Sequence, residues 1–248
     1  YDEARPKMPG YPAEVIARWL GRAPHTVVDL GCGTGLSLPV WQGKAEKVVG
    51  VEPSGDMLAL AKAKNLPNTT FVQAFAHETG LPDSMADVVI CSQSFHWMEP
   101  AATLREVGRI LKPNGIFATV DCDWPPVCDW RAEDAYRALR EREQDLELAY
   151  PDLSNSFVRF PKERHLQNIK ESGQFSYTRE IVFANRESCT SERLSRLMLS
   201  QGGLQAILRL HPEEIEADLA RFRETVFSIY GNTPFPIEFC YRMRIGVK

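Results

Sequence analysis

The chain has 248 residues, 44% hydrophobic and 25% charged, with 29 basic and 33 acidic side chains and a formal net charge of −4. That length can bury one substantial core, and no run of about 18 apolar residues is available to span a bilayer. No dense Lys/Arg block supplies the cationic footprint of a nucleic-acid binder, so the composition favours a small-molecule partner over nucleic acid or membrane.

In chain order, residues 12–20 read as a short helix with Pro12 early and Gly21 just past its end. A strand follows at 26–30, then a glycine-rich turn and a helix of about 36–42. Residues 47–51 form a second strand, and Ser54 is placed to cap the helix through "GDMLALAKAK". Strands at 70–74 and 87–91 are short and β-branched, and a helix at 100–111 is stopped by the turn Lys112-Pro113-Asn114-Gly115 before a fifth strand at 116–120. Beyond "DCDWPPVCDW" the pattern turns to a charged helix at 131–149 and an aromatic-rich loop and helix region, an insertion over 124–172. Strands at 175–183 and 238–247 flank helices near 190–200 and 212–228. Alternation of this kind predicts right-handed crossovers and an α/β fold, a largely parallel sheet covered on both faces.

Six cysteines, Cys32, Cys91, Cys122, Cys128, Cys189 and Cys240, are scattered without a C-x-x-C pair. They read as core thiols of a reducing, cytoplasmic compartment, with no disulfide framework and no metal site expected. The chain starts at Tyr1 without a methionine, which leaves open what precedes it.

The chemistry concentrates at the strand ends. In a parallel sheet the ligand crevice lies beyond the carboxyl ends of the strands, where strand order reverses. There "VVDLGCGTG" places Gly31, Gly33 and Gly35, which let backbone approach a ligand, and the next helix N-terminus would offer free N–H groups. A dinucleotide fingerprint needs a small residue at the sixth position, but counting from Gly31 that position is Leu36, and from Gly33 it is Leu38. Glu52 closes the second strand 17 positions after Gly35, where it can accept both hydroxyls of a ribose. NAD sites share that carboxylate, so it does not discriminate by itself.

Taken together, "VVDLGCGTG", "VVGVEPSGDML", "ETGLPDSMADVVICSQSFHWMEP" and "EVGRILKPNGIFATV" resemble class I S-adenosylmethionine-dependent methyltransferases of the small-molecule, type 11 group that includes trans-aconitate methyltransferase. The resemblance covers residues 1–122 and is only general beyond them. It implies a doubly wound, mostly parallel, seven-stranded Rossmann-like sheet with an inserted helical lid. The division it suggests is a cofactor-binding core at 1–123, a lid at 124–172, and the rest of the sheet with further helices at 173–248.

The implied cofactor is S-adenosyl-L-methionine. On this pattern Asp29 organises the glycine loop, Gly31, Cys32 and Gly33 line the methionyl part, and Glu52 takes the ribose with Pro53 and Met57 beside the adenosine. Phe75, Ala76 and His77 would flank the adenine, although the acidic residue many relatives carry there is absent and Glu78 stands one position late. Gln93 and His96 match positions facing the sulfonium and the acceptor, and Tyr1 and Arg5 match a stretch closing over the cofactor, with Arg5 pairing its carboxylate. His96 is the candidate general base for a hydroxyl or amine acceptor. A carboxylate acceptor needs no base and would call for cations such as Arg159 or Arg164, while Trp97 and the aromatics Trp124, Trp130, Tyr150, Phe157 and Phe160 would wall the acceptor pocket.

Plainer roles compete with each assignment. Asp29 can simply hold the loop, Glu52 can be a surface carboxylate, His96 and Trp97 can be packing residues, His77 a surface histidine, and Tyr1 and Arg5 a frayed terminus. The expected function is methyl transfer to a small-molecule oxygen, nitrogen or carboxylate by a monomer or homodimer. The alternatives are an NAD(P)-dependent oxidoreductase and a catalytically silent cofactor-binding subunit.

Overall fold

The computed structural model of the protein describes residues 2–154 and 158–248. Five strands come first: β1 (Thr26–Leu30), β2 (Lys47–Val51), β3 (Thr69–Val72), β4 (Ala86–Ser92) and β5 (Leu111–Cys122). Helix α1 (Tyr11–Leu20) precedes β1, and α2 (Gly55–Ala63) and α3 (Pro100–Ile110) lie between strands. Next come α4 (Trp130–Ala149), α5 (Pro151–Ser154), α6 (His165–Glu171) and β6 (Tyr177–Cys189). Helices α7 (Ser191–Leu199), α8 (Gly202–Leu210) and α9 (Glu216–Tyr230) and strand β7 (Phe235–Val247) complete the chain.

The seven strands are ordered β3-β2-β1-β4-β5-β7-β6, with β1 parallel to β2 and β4, β2 parallel to β3, β4 parallel to β5, and β7 antiparallel to β5. Strand order reverses between β1 and β4, which is where a doubly wound sheet opens its crevice. All five residues of β1 and the first six of β4 are buried, consistent with a parallel sheet covered on both faces. The covering includes α3, whose Leu104, Val107 and Ile110 fall at helical spacing on one buried face, and whose N-terminal amides of Ala101 and Ala102 donate to the Glu99 carboxylate at 3.0 and 2.6 Å.

The chain divides into two compact units, whereas the sequence suggests a core, a lid and a C-terminal remainder. One unit gathers Lys7–Cys122, Arg159–Phe183 and Tyr241–Lys248. The other gathers the segment ending at Pro6, Asp123–Val158 and Ala184–Cys240. The difference has a packing cause. Helix α4 buries Ala132, Tyr136, Leu139 and Leu146 and packs against α8 and α9, so the helical unit draws on the C-terminal residues as well as on the insertion. Residues 159–172, expected in the lid, belong instead with the sheet core.

The expected α-helix at 36–42 is only a 3-10 turn, Leu38–Trp41, with Pro39 inside it and Leu38 and Trp41 fully buried. A turn this short presents no helix terminus to a ligand, which removes that portion of the expected anion site.

Candidate functional site

The groups gathered at the carboxyl ends of the strands lie in the sheet unit. Backbone leaves β1 through Gly31, whose N–H donates to Val51 O at 2.8 Å, and through Cys32, which donates to the same carbonyl at 3.1 Å. Gly31 adopts φ +67°, and a Cβ there would stand 2.7 Å from Ser94 Cβ and 2.8 Å from Met98 Cε. The bareness of Gly31 therefore serves the protein's own packing. Ser94 closes the contact by donating its hydroxyl to Leu30 O at 2.7 Å, tying the exit of β4 to that of β1.

Gly33 is different. At φ +53° its Cβ would meet nothing nearer than Met57 Sδ at 3.9 Å, so this is the loop position left open to a visitor. Gly35, by contrast, abuts Leu38 and Ala61.

Glu52 ends β2 and is 7% exposed. Its Oε2 accepts the Gly33 N–H at 3.0 Å and its Oε1 the Ser54 N–H at 2.9 Å. The carboxylate thus latches the glycine turn to the start of α2, and each oxygen keeps a second lone pair for a further hydroxyl. Met57 is 38% exposed in the first turn of α2, where its N–H donates to Ser54 Oγ at 3.4 Å. Pro53 is exposed beside it, its carbonyl accepting from Gln73.

Asp29 is fully buried and accepts the Ser37 hydroxyl, while its Oδ1 has no hydrogen-bond partner. Burial raises its carboxyl to about 7; the Ser37 bond opposes this and the Glu52 charge adds to it. Because the folded chain keeps this proton where the unfolded chain has lost it, the contribution to stability is fullest below pH 4 and falls away as pH rises to about 7. Asp29→Asn is expected to flatten a pH dependence of about 3 kcal/mol at most between pH 5 and pH 8, read from urea midpoints at the two. Burial likewise pushes the Cys32 thiol well up, helped by the charges of Asp29 and Glu52.

After β3, Phe75 is 62% exposed and stacks on the exposed His77 at 5.6 Å between ring centres, with the small Ala76 buried between them. Two exposed rings side by side offer a surface on which a purine can lie.

After β4, Gln93 holds φ +57°, unusual for a side-chain-bearing residue, with its N–H on Val120 O at 2.9 Å. His96 sits in the 3-10 turn Phe95–Trp97 with its side chain 12% exposed. Burial lowers its pKa, and the nearby Lys162 cation adds to that against the raising effect of Asp121. Trp97 is 42% exposed and lies under the Arg159 guanidinium at 5.1 Å, while Phe160 N–H donates to His96 O at 2.8 Å.

Sequence reasoning misses Asp121 at the end of β5, with Lys162, His165 and Arg244 around it. Lys162 Nζ is 3.3 Å from Asp121 Oδ1 and donates to Gln93 Oε1 at 3.3 Å. His165 Nδ1 lies 3.1 Å from Asp121 Oδ2, and Arg244 Nη1 donates to the same oxygen at 3.2 Å. Burial would raise the Asp121 carboxyl, but His165, His96 and Lys162 outweigh it and hold it far below the usual range. The signal available is positional: Asp121 ends its strand as Glu52 ends β2.

Arg5 and Trp124 lie in the helical unit. Arg5 is half-buried rather than frayed, donating to Ser200 O at 2.7 Å with its guanidinium 5.8 Å from the Trp124 ring centre. Trp124 also stacks on Tyr136 at 6.2 Å. There Tyr150 donates to Glu214 Oε1 at 2.8 Å and Trp130 is 73% exposed. Arg164, in the sheet unit, is exposed and pairs with Glu171 at 3.5 Å. Tyr1 and Phe157, the remaining candidates, lie outside the described residues.

A strand-order reversal, an open glycine position and a strand-end carboxylate tied across it mark the crevice of a doubly wound α/β domain. Residues 28–119 match the methyltransferase domain family. An uncharacterized methyltransferase of Mycobacterium tuberculosis is 37% identical over 120 residues, 48% of this chain and 48% of that protein. One from Schizosaccharomyces pombe is 27% identical over 233 residues, covering 91% of this chain and 85% of the other. A solved structure from Anaeromyxobacter dehalogenans shares the fold at TM-score 0.68 and 21% identity, over 98% of this chain and 97% of that one. Over residues 28–119 the chain is thus similar to methyltransferases. Its match spans about half the length of the mycobacterial relative. Among the described residues no helix is long and apolar enough to cross a membrane.

Proposed function

We propose that the protein transfers the methyl group of S-adenosyl-L-methionine to oxygen or nitrogen of a small-molecule acceptor. The observation that carries this reading is the Glu52 latch across Gly33, which leaves carboxylate lone pairs beside an unobstructed stretch of backbone. These residues fit the cofactor: ribose hydroxyls on Glu52, the methionyl moiety along Gly31, Cys32 and Gly33, and adenosine against Pro53, Met57, Phe75, Ala76 and His77. The bound cofactor supplies an already activated methyl on a sulfonium.

The chain's task is then alignment and exclusion of water, which can be worth roughly 7–11 kcal/mol of barrier. Gln93 and His96 face the reacting centre in this reading, with Trp97 and Arg159 on the acceptor side. His96 removes the proton that a hydroxyl or amine must lose.

Titration calorimetry tests it with S-adenosylhomocysteine and NADH. Micromolar binding of the first and none of the second is expected. NADH binding alone would move the protein to the oxidoreductases, and binding of neither would overturn the cofactor assignment.

A further inference from the structure

We propose that Asp121 is a positioning residue that fixes His96 with Nδ1–H inward and Nε2 free to accept a proton, which makes the acceptor a hydroxyl or amine and not a carboxylate. This rests on the methyl-transfer reading above, whose cofactor half is tested separately.

The geometry is that of a buried ring nitrogen facing a carboxylate oxygen. His96 Nδ1 is buried without a hydrogen-bond partner and stands 3.6 Å from Asp121 Oδ1, just beyond bonding reach, while that oxygen holds the Lys162 ammonium at 3.3 Å. Buried polar atoms left unmade cost free energy, so a small inward motion of the imidazole that joins the two is favourable. Catalytic contacts are often long in the ligand-free state and tighten on binding. His96 is held for such a motion, its carbonyl bound to Phe160 N–H at 2.8 Å and its ring 4.8 Å from that of Trp97.

Charge decides which form of the ring is present. Asp121 from β5, Lys162 from the turn before α6 and His165 from α6 act on the His96 ring, and Arg244 from β7 pairs with the same Asp121. Lys162 and Arg244 already balance Asp121 and Glu180, which accepts from Arg244 Nε at 2.9 Å, and Arg242 adds a third cation on Glu180 at 3.2 Å. A resting imidazolium would be surplus positive charge in a nearly closed space, so His96 rests neutral.

Oxygen occupancy decides the tautomer. His165 places Nδ1 3.1 Å from Oδ2, and an ionised carboxylate can only accept, so a nitrogen bonded to it carries the proton; the same holds for His96 Nδ1 once it reaches Oδ1. Two histidines and an aspartate are metal ligands by chemistry, but the Lys162 and Arg244 cations occupy that carboxylate. Among the described residues no such group could hold a metal ion.

The step balances simply. An acceptor lone pair forms the new bond to the methyl carbon, the carbon–sulfur pair leaves with the sulfur, and the acceptor proton passes to His96 Nε2. The transient imidazolium is then stabilised by Asp121 through Nδ1–H. A carboxylate acceptor has no proton to give, and this apparatus would be idle.

Histidine-selective ¹⁵N labelling reads the ring directly. Long-range ¹H–¹⁵N spectra of the whole protein at pH 7 should show His96 neutral with its proton on Nδ1, and Asp121→Asn should move the proton toward Nε2, with Asp121→Glu restoring it. Should Asp121→Asn fail to fold, Lys162→Met takes its place and is expected to raise the His96 titration by roughly half a pH unit or more. An Nε2–H tautomer in the unaltered protein, or no response of His96 to either variant, overturns the assignment.

The acceptor class is read by incubating the protein with methyl-labelled S-adenosylmethionine and a protein-free metabolite extract, then treating the product with dilute base. Ethers and amines keep their label. Release of labelled methanol, or no labelled product at all, overturns the class. Absence of S-adenosylhomocysteine binding by the unaltered protein would mark failure of the wider reading instead.

Discussion

Glu52→Ala is expected to weaken S-adenosylhomocysteine binding by about 1–3 kcal/mol, roughly 5- to 150-fold, in titration calorimetry. Two losses combine in that figure. The ribose loses a charged acceptor, and the amides of Gly33 and Ser54 lose the carboxylate that holds them at 3.0 and 2.9 Å, so the turn is no longer shaped in advance. Glu52→Gln separates the two, since its carbonyl can satisfy one amide while its NH₂ group meets the other as donor against donor. An intermediate affinity is expected for it, and unchanged affinity in both variants would take Glu52 out of the binding site.

The largest stability effect falls on Gly31. Gly31→Ala is expected to lower the unfolding free energy by about 2–4 kcal/mol, seen as a drop in urea midpoint at constant slope. Its Cβ would enter the space of Ser94 Cβ and Met98 Cε at 2.7 and 2.8 Å, and Ser94 is pinned by its 2.7 Å bond to Leu30 O. Gly21→Ala is the control. Gly21 has nearly the same φ, +69°, but nothing within 4 Å of the added carbon, so it should cost only the backbone term of about 1 kcal/mol. Equal losses at the two positions would show that crowding at the exit of β4 plays no role.

The elements that local chemistry dictates are legible from the residues. The run Thr26–Leu30 is a strand as expected, Ser54 caps α2, and the charged segment at 131–149 is α4. Legibility fails where distant segments decide. Helix α8, Gly202–Leu210, lies between the helices expected near 190–200 and 212–228 and begins on two glycines, which favour helix poorly. A Cβ at Gly203 would press against the Glu143 and Glu147 carboxylates, and neither is adjacent in sequence. Strand β6 runs on to Cys189, past the expected end at 183, through a stretch of alternating polar residues that suits an edge position.

The candidate site divides in the same way. Gly33 and Glu52 are picked out by their spacing along one crossover, and Asp29 by the family resemblance. The surroundings of His96 do not, because Asp121, Lys162, His165 and Arg244 come from four separate segments and meet only through the sheet order. Arg5 shows the converse, a residue matched to a cofactor-closing motif whose guanidinium donates to Ser200 and Gln201.

The Cys32 sulfur has a consequence for the loop's own survival. Only the anionic form of sulfur competes well for an electrophilic carbon, and burial first, then the acidic groups of Asp29 and Glu52, oppose ionisation of this one. Kept in its uncharged form, it would let the turn shelter an alkylating reagent through many turnovers without being alkylated itself.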